Sequence, residues 1–144
     1  MADITPLREF VTATTAIVER LAGDEAALLE AIRPRLASLV TTERWLPDEL
    51  TRPHPQYYQQ YLLHADVHER WSMVSFVWGP GQKTPIHDHR VWGLVGVLQG
   101  AETGTTFDRD PVSGALTRTG EERLERGQVV AVSPTVGDIH QVAN

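Results

Sequence analysis

The spacing of apolar residues changes after Trp45, and this change limits the folds that the chain can adopt. From Tyr57 onward, short runs of strand-forming residues alternate with turn residues such as Gly79-Pro80-Gly81. Many short strands with Gly and Pro between them are typical of β-sandwiches and β-barrels and do not fit an alternating βαβ fold. The predicted strands are residues 57–63, 71–78, 86–89, 91–98, 128–133 and 139–143, with a further polar stretch near 103–107.

Two helices are predicted ahead of these strands, because apolar residues recur there at helical spacing in two stretches. Thr5, followed by Pro6, fits the N-cap of the first helix. Gly23 is expected to end that helix and Asp24 to cap the second, which Pro34 should kink or shorten. Neither helix would be stable alone, so both need an apolar surface on which to lie.

Length and composition predict one soluble domain. In 144 residues with no evident linker, residues 1–45 should form a helical segment packed on a barrel of residues 57–144. The net charge of -6 and the lack of any Lys or Arg run argue against a nucleic-acid partner. With no cysteine, disulfides and thiolate ligands are excluded. No membrane span or secretory signal is visible, so the expected location is cytoplasmic; the oligomeric state is left open.

Three of the six histidines are placed as a metal site would require. His87 and His89 stand two apart in a predicted strand, so both imidazoles should project from the same face. His140, in the last predicted strand, can supply the third donor. Imidazole suits Fe, Zn, Cu and Ni, so the ligand type alone does not select the metal. The remaining histidines and Asp88 are not expected to bind the metal. We expect His54 in a loop, His64 and His68 in a solvated turn, and Asp88 on the face opposite the ligands.

These histidines and the glycines around them resemble the two sequence motifs of the cupin superfamily. The first motif corresponds to Gly81, His87, His89 and Gly100, and the second to Gly127, Pro134, Gly137, His140 and Asn144. The resemblance implies a mostly β fold: a cupin double-stranded β-helix, or jelly-roll barrel, preceded by the two N-terminal α-helices. Most cupins carry a glutamate ligand where this chain has Gly93, so the carboxylate is missing here.

The missing carboxylate bears on the chemistry of the site. Three neutral imidazoles leave a divalent metal with its full charge, which favours a substrate that brings its own negative donor. A thiolate qualifies, and charge balance alone does not select it over a diketone or another anionic chelator. Residues 57–100, with their WGPG, IHDH and LQG segments, are similar to the cysteine dioxygenase family of thiol dioxygenases. That resemblance implies an enzyme that uses Fe(II) and O2 to oxidise a small thiol carboxylic acid, 3-mercaptopropionate or cysteine, to its sulfinic acid.

The resemblance also assigns residues. His87, His89 and His140 match the iron ligands and thus the catalytic centre. Substrate contacts are implied for Tyr58, Gln60, Phe76 and Trp78. Gln60 stands where the mammalian-type enzymes have an arginine, and this replacement resembles the bacterial 3-mercaptopropionate dioxygenase branch. Because Gly93 also falls where those enzymes have a cysteine crosslinked to tyrosine, the crosslink is not expected here.

Two alternatives remain open at this stage. Family members continue well beyond the third histidine, whereas this sequence ends at Asn144, so the barrel is expected to be incomplete at its carboxyl end. A non-catalytic cupin that binds a metal or small ligand, such as a sensor, would fit that ending. A non-oxygenase cupin that uses Zn or Mn is the other alternative.

Overall fold

The structure is a computed structural model that describes residues 2–42 and 44–144. Helix α1 spans Thr5–Arg20 and helix α2 spans Glu25–Thr41. The prediction that Thr5 caps α1 is wrong: Ile4 is the N-cap residue, and the N–H of Thr5 donates to Asp3 Oδ1 at 3.0 Å. The cap of α2 is as predicted, since Asp24 Oδ1 accepts from the N–H of Ala27.

Pro34 does not shorten α2, which runs on from it to Thr41. Helix α1 ends before Gly23, at Arg20, with Leu21 as its C-cap residue. Gly23 lies in the turn between the helices with φ +86°, a conformation that a side chain would strain. Neither these helices nor any other helix in the described parts of the chain is long and apolar enough to cross a bilayer.

Within the described residues, seven strands follow the helices and a short 3-10 helix at Asp48–Leu50, and the pairings between these strands are antiparallel. The hydrogen-bonded orders are β1-β2, β3-β6 and β5-β4-β7, so the strands form three small sheets. The predicted β-rich class with two leading helices is confirmed. The strands are β1 (Gln59–Ala65), β2 (Ser72–Val77), β3 (Gly93–Gly96), β4 (Ala101–Arg109), β5 (Leu116–Glu125), β6 (Val129–Val132) and β7 (His140–Ala143).

The strand predictions contain two errors. Strand β5 was not predicted, because its sequence LTRTGEERLE is mostly polar and nearly every residue in it is exposed. It is held by pairing with β4 along its whole length. Residues 86–89 were predicted as a strand, but only His87 takes part in a β-bridge there.

The core lies between the helices and the β3–β6 sheet. Buried residues from α1, α2 and the following segment, including Phe10, Ile32 and Trp45, form one apolar cluster. Gly96 lets α2 approach β3 closely, since a Cβ at this position would stand 3.0 Å from Val40 Cγ1. The Arg33 guanidinium donates to the main-chain carbonyl of Val129 at 2.7 Å and joins α2 to β6.

The turn between β1 and β2 is organised by one carboxylate. Asp66 is 6% exposed and accepts hydrogen bonds from the Arg70 guanidinium at 2.8 and 2.9 Å. It also accepts from the main-chain N–H groups of His68 and Arg70. These bonds, led by that of the Arg70 side chain, hold the pKa of Asp66 well below its ordinary value.

Candidate metal centre

His87 and His140 are brought together by the main chain. The N–H of His87 donates to the carbonyl of His140, and the N–H of His140 donates back to His87, both at 2.9 Å. Residues that exchange both hydrogen bonds stand directly opposite each other, with side chains on the same face. The two Nε2 atoms are 3.1 Å apart.

A local irregularity sets the direction of His87. The N–H of Thr84 donates to the carbonyl of Val142, and the N–H of His87 donates to the carbonyl of His140. An advance of three residues along one segment therefore matches an advance of only two along the other. Such an extra residue is a β-bulge, and Pro85, which has no N–H, lies inside it. The bulge brings the Pro85 carbonyl to 2.9 Å from His87 Nδ1. It also explains why residues 86–89 do not form the predicted regular strand.

His89 is held by a carboxylate from the opposite segment. His87 lies opposite His140 in an antiparallel pair. The residue two positions after His87 therefore faces the residue two positions before His140. His89 accordingly meets Asp138, whose Oδ2 lies 2.7 Å from His89 Nδ1. The N–H of His89 also donates to Asp138 Oδ1 at 3.4 Å. The Asp138 side chain is 7% exposed, so this carboxylate is largely shielded from water.

The resulting cluster has the geometry of a three-histidine metal site. One ligand nitrogen from each of His87, His89 and His140 lies within 4.8 Å of the others. Two nitrogens that bind one ion at about 2.1 Å and at right angles are about 3.0 Å apart, close to the 3.1 Å between His87 and His140. The Nδ1 atoms of His87 and His89 face the acceptors Pro85 and Asp138, which leaves each Nε2 available to a metal.

The charge state of His140 suits this role. Burial, followed by the proximity of His87 and His89, lowers its pKa to about 4. At neutral pH the ring is therefore uncharged, as a metal ligand must be. These three histidines are the only group of at least three potential ligands that converge on one point within residues 2–42 and 44–144.

Gly93, which stands where a cupin carboxylate ligand is expected, has no space for one. It pairs with Val132 across the β3–β6 sheet. A Cβ at Gly93 would stand 2.9 Å from Val132 Cγ2, closer than atoms can approach without a shift. Among the described residues, the group of potential metal ligands thus consists of three imidazoles and includes no carboxylate.

The residues with implied substrate contacts are grouped together on the β1–β2 hairpin. Gln60 pairs opposite Phe76, and the Tyr58 ring lies 4.5 Å from that of Trp78 and 6.4 Å from that of Phe76. Phe76 is 48% exposed. Phe76 and Trp78 also line a cavity of about 1150 Å³ between the helices and strands β2 and β3. Arg90 and Trp92, which follow the metal-binding segment, line this cavity as well.

Of the other polar residues considered from the sequence, His64 lies elsewhere than predicted. His64 belongs to β1 and not to a solvated turn: its ring packs 4.6 Å from Trp71 and its Nε2 is buried. His68 is exposed in the turn as expected, and His54 stacks on Tyr57 in a loop. Asp88 is exposed, and no hydrogen bond or ion pair to it is found within the described residues.

Asp138 belongs to the site but was not predicted from the sequence. The available signal was its spacing: Asp138 and His140 stand two apart, as His87 and His89 do, so an antiparallel pairing sets one pair against the other. The chain as a whole matches no protein-family model.

Proposed function

We propose that this protein is a cupin-type Fe(II) thiol dioxygenase that oxidises a small thiol carboxylic acid to its sulfinic acid. The observation that carries the proposal is the convergence of His87, His89 and His140 without a carboxylate ligand among them. Imidazole nitrogen is a suitable donor for Fe(II), and all three side chains can present one. Bound iron would offer open positions for a thiolate and for O2 and the electrons that activate O2.

The cupin part of the proposal is supported by the paired segments and by their glycines. The first-motif histidine His87 bonds to the second-motif histidine His140, as expected if the two motifs face each other in one barrel. The four glycines at the motif positions all have positive φ, which side-chain-bearing residues rarely adopt. They are Gly81, Gly100, Gly127 and Gly137.

Charge supports a substrate with an anionic donor such as a thiolate, and the resemblance of residues 57–100 to thiol dioxygenases selects the thiol. Three neutral rings leave the two positive charges of the ion uncompensated by its direct ligands, which favours an anionic substrate donor. The thiolate sulfur would then be the atom oxidised, with both oxygen atoms of O2 ending on sulfur. Gly93 has no side chain that could act as a further ligand, and Val132 Cγ2 lies only 2.9 Å from where its Cβ would stand.

In this proposal the hairpin face with Tyr58, Gln60, Phe76 and Trp78 contacts the organic part of the substrate. Its rings are apolar and partly exposed, and they suit a short carbon chain. The Gln60 amide can donate to a carboxylate or accept from an amine, so it would orient either end group without a charge of its own.

The test is anaerobic loading with Fe(II), then measurement of O2 consumption and product mass with 3-mercaptopropionate and with cysteine. The expected product is the sulfinate, with one O2 consumed per thiol. The variant H140A should produce none, whereas H68A, which removes an exposed histidine from the β1–β2 turn, should match the parent protein. Iron-loaded protein that yields no sulfinate from any small thiol would contradict the proposal.

The same preparation separates the other two functions considered. A non-catalytic cupin would bind iron and be stabilised by it without consuming O2. A cupin that uses Zn or Mn would retain that metal when purified without added iron. Neither alternative is favoured by a particular feature of the site.

A further inference from the structure

We propose that Asp138 supplies, through His89, the negative charge that the direct ligands of the metal lack, and that it positions the His89 ring. The inference rests on the metal centre of the proposed function and deepens it. Its basis is the 2.7 Å contact between Asp138 Oδ2 and His89 Nδ1, in a carboxylate only 7% exposed. The other oxygen of this carboxylate also bonds to His89, at the main-chain N–H.

Burial makes this charge effective. A carboxylate that accepts the Nδ1 proton fixes the imidazole as the tautomer with a free Nε2 and makes that Nε2 a stronger donor. Because Asp138 is shielded from water, its charge is poorly screened and acts on an ion bound by His89. A carboxylate on the far side of the His89 ring thus offsets part of the metal's positive charge, which Gly93 cannot do because it has no side chain. It does so without occupying a coordination position.

The position of Asp138 is set from a distant element. It ends the turn formed by residues 133–138, in which Gly137 has φ +69°. The hydroxyls of Ser133 and Thr135 both donate to Glu25 Oε1 at the start of α2. Ser133 is fully buried, so the near end of the turn is tied into the core. We infer that Glu25, by holding Ser133 and Thr135, helps to position the turn whose far end carries Asp138 to His89.

The primary test compares D138N with D88N. Both substitutions remove one carboxylate beside the ligands and change the net charge equally, but Asp88 is exposed and bonded to neither histidine. Metal affinity is measured with Co(II) and Fe(II) by competition against a chromophoric chelator, and the visible spectrum of the Co(II) protein is recorded. We expect D138N to weaken binding by about 10- to 100-fold and to shift the spectrum. D88N should remain within about twofold of the parent protein.

The outcomes are distinct. Equal affinities and spectra for D138N and D88N would overturn the role of Asp138 and leave the metal centre standing. A parent protein that binds neither ion would overturn both this inference and the proposed function. Circular dichroism and thermal unfolding of each variant establish that it is folded. If D138N does not fold, D138S takes its place: it also removes the charge, and a Co(II) affinity and spectrum equal to those of D88N would then contradict the inference.

Glu25 is tested by a double-mutant cycle. If it acts through the turn, E25A should weaken Co(II) binding by about three- to tenfold in the parent protein and have no further effect in D138N. A purely structural role predicts the same loss in both backgrounds. Equal losses would therefore show that Glu25 does not act on the metal centre through Asp138.

Discussion

The three histidines differ in what holds them. His87 and His89 each have an acceptor facing Nδ1, whereas His140 is held mainly by its place at the start of β7 and by main-chain bonds to His87. Burial lowers the pKa of His140 to about 4, which keeps this ring neutral in the absence of a metal. It is therefore the ligand with which to probe the centre first.

We expect H140A to weaken Co(II) binding by more than about 100-fold, because a direct ligand contributes more than the residues that orient one. Isothermal calorimetry at pH 7 provides the measurement, with H68A as the matched His-to-Ala control. Comparable affinities for the two variants would contradict the assignment of His140 as a ligand.

Gly93 and Val132 permit a stability prediction at single-residue scale. G93A places a methyl group 2.9 Å from Val132 Cγ2 and should lower the free energy of unfolding by about 1–3 kcal/mol. In the V132A background, where that carbon is absent, the cost should largely disappear. The control is G104A in β4, where an added Cβ meets nothing closer than 3.9 Å. Urea unfolding measures all four variants, and equal effects of G93A in both backgrounds would refute the steric explanation.

At the scale of elements, the β1–β2 hairpin depends on the Asp66 carboxylate in its turn. The folded pKa of Asp66 is lowered, so its stabilising contribution is complete above the ordinary value of 3.8 and is lost as the pH falls below it. The folded protein binds fewer protons than the unfolded chain in that range, so stability should rise with pH there.

D66N should remove this part of the pH dependence. We expect the parent protein to lose stability between pH 5 and about pH 3, and D66N to start less stable at pH 7 and to lose less over the same interval. Urea unfolding at several pH values measures the slope. D108N, which changes an exposed strand residue, is the control, and a slope for D66N equal to that of D108N would contradict the prediction.

At the scale of the molecule, the metal centre joins segments that are far apart in the sequence. His87 and His140 are separated by 53 positions, so an ion bound by both stabilises only the folded chain. At a free metal concentration 100 times the dissociation constant, this linkage adds about 2.7 kcal/mol. For a protein of this size we expect the Tm to rise by about 5–10 °C.

Scanning calorimetry with and without Co(II) tests this expectation. The parent protein and D88N should both show the rise, and H140A should show almost none. A rise of equal size in H140A would indicate binding outside the three-histidine cluster.

Much of the architecture could be predicted from sequence because it depends on local chemistry. Helical periodicity located α1 and α2, Gly23 and Asp24 marked their junction, and alternating residues between turns located most strands. The three histidines stood out for the same reason, since spacing along a strand determines which side chains share a face.

The tertiary structure decided what depends on pairing between distant segments. Strand β5 exists because β4 offers it a partner, despite its polar sequence. The bulge at Pro85 and the register of His87 opposite His140 direct the rings, and the same register sets Asp138 against His89. Through local conformational preference, the sequence determined the helices, most strands and the histidines that could bind a metal. Only packing decided which of them meet, because a shift of one residue in register turns a side chain to the other face.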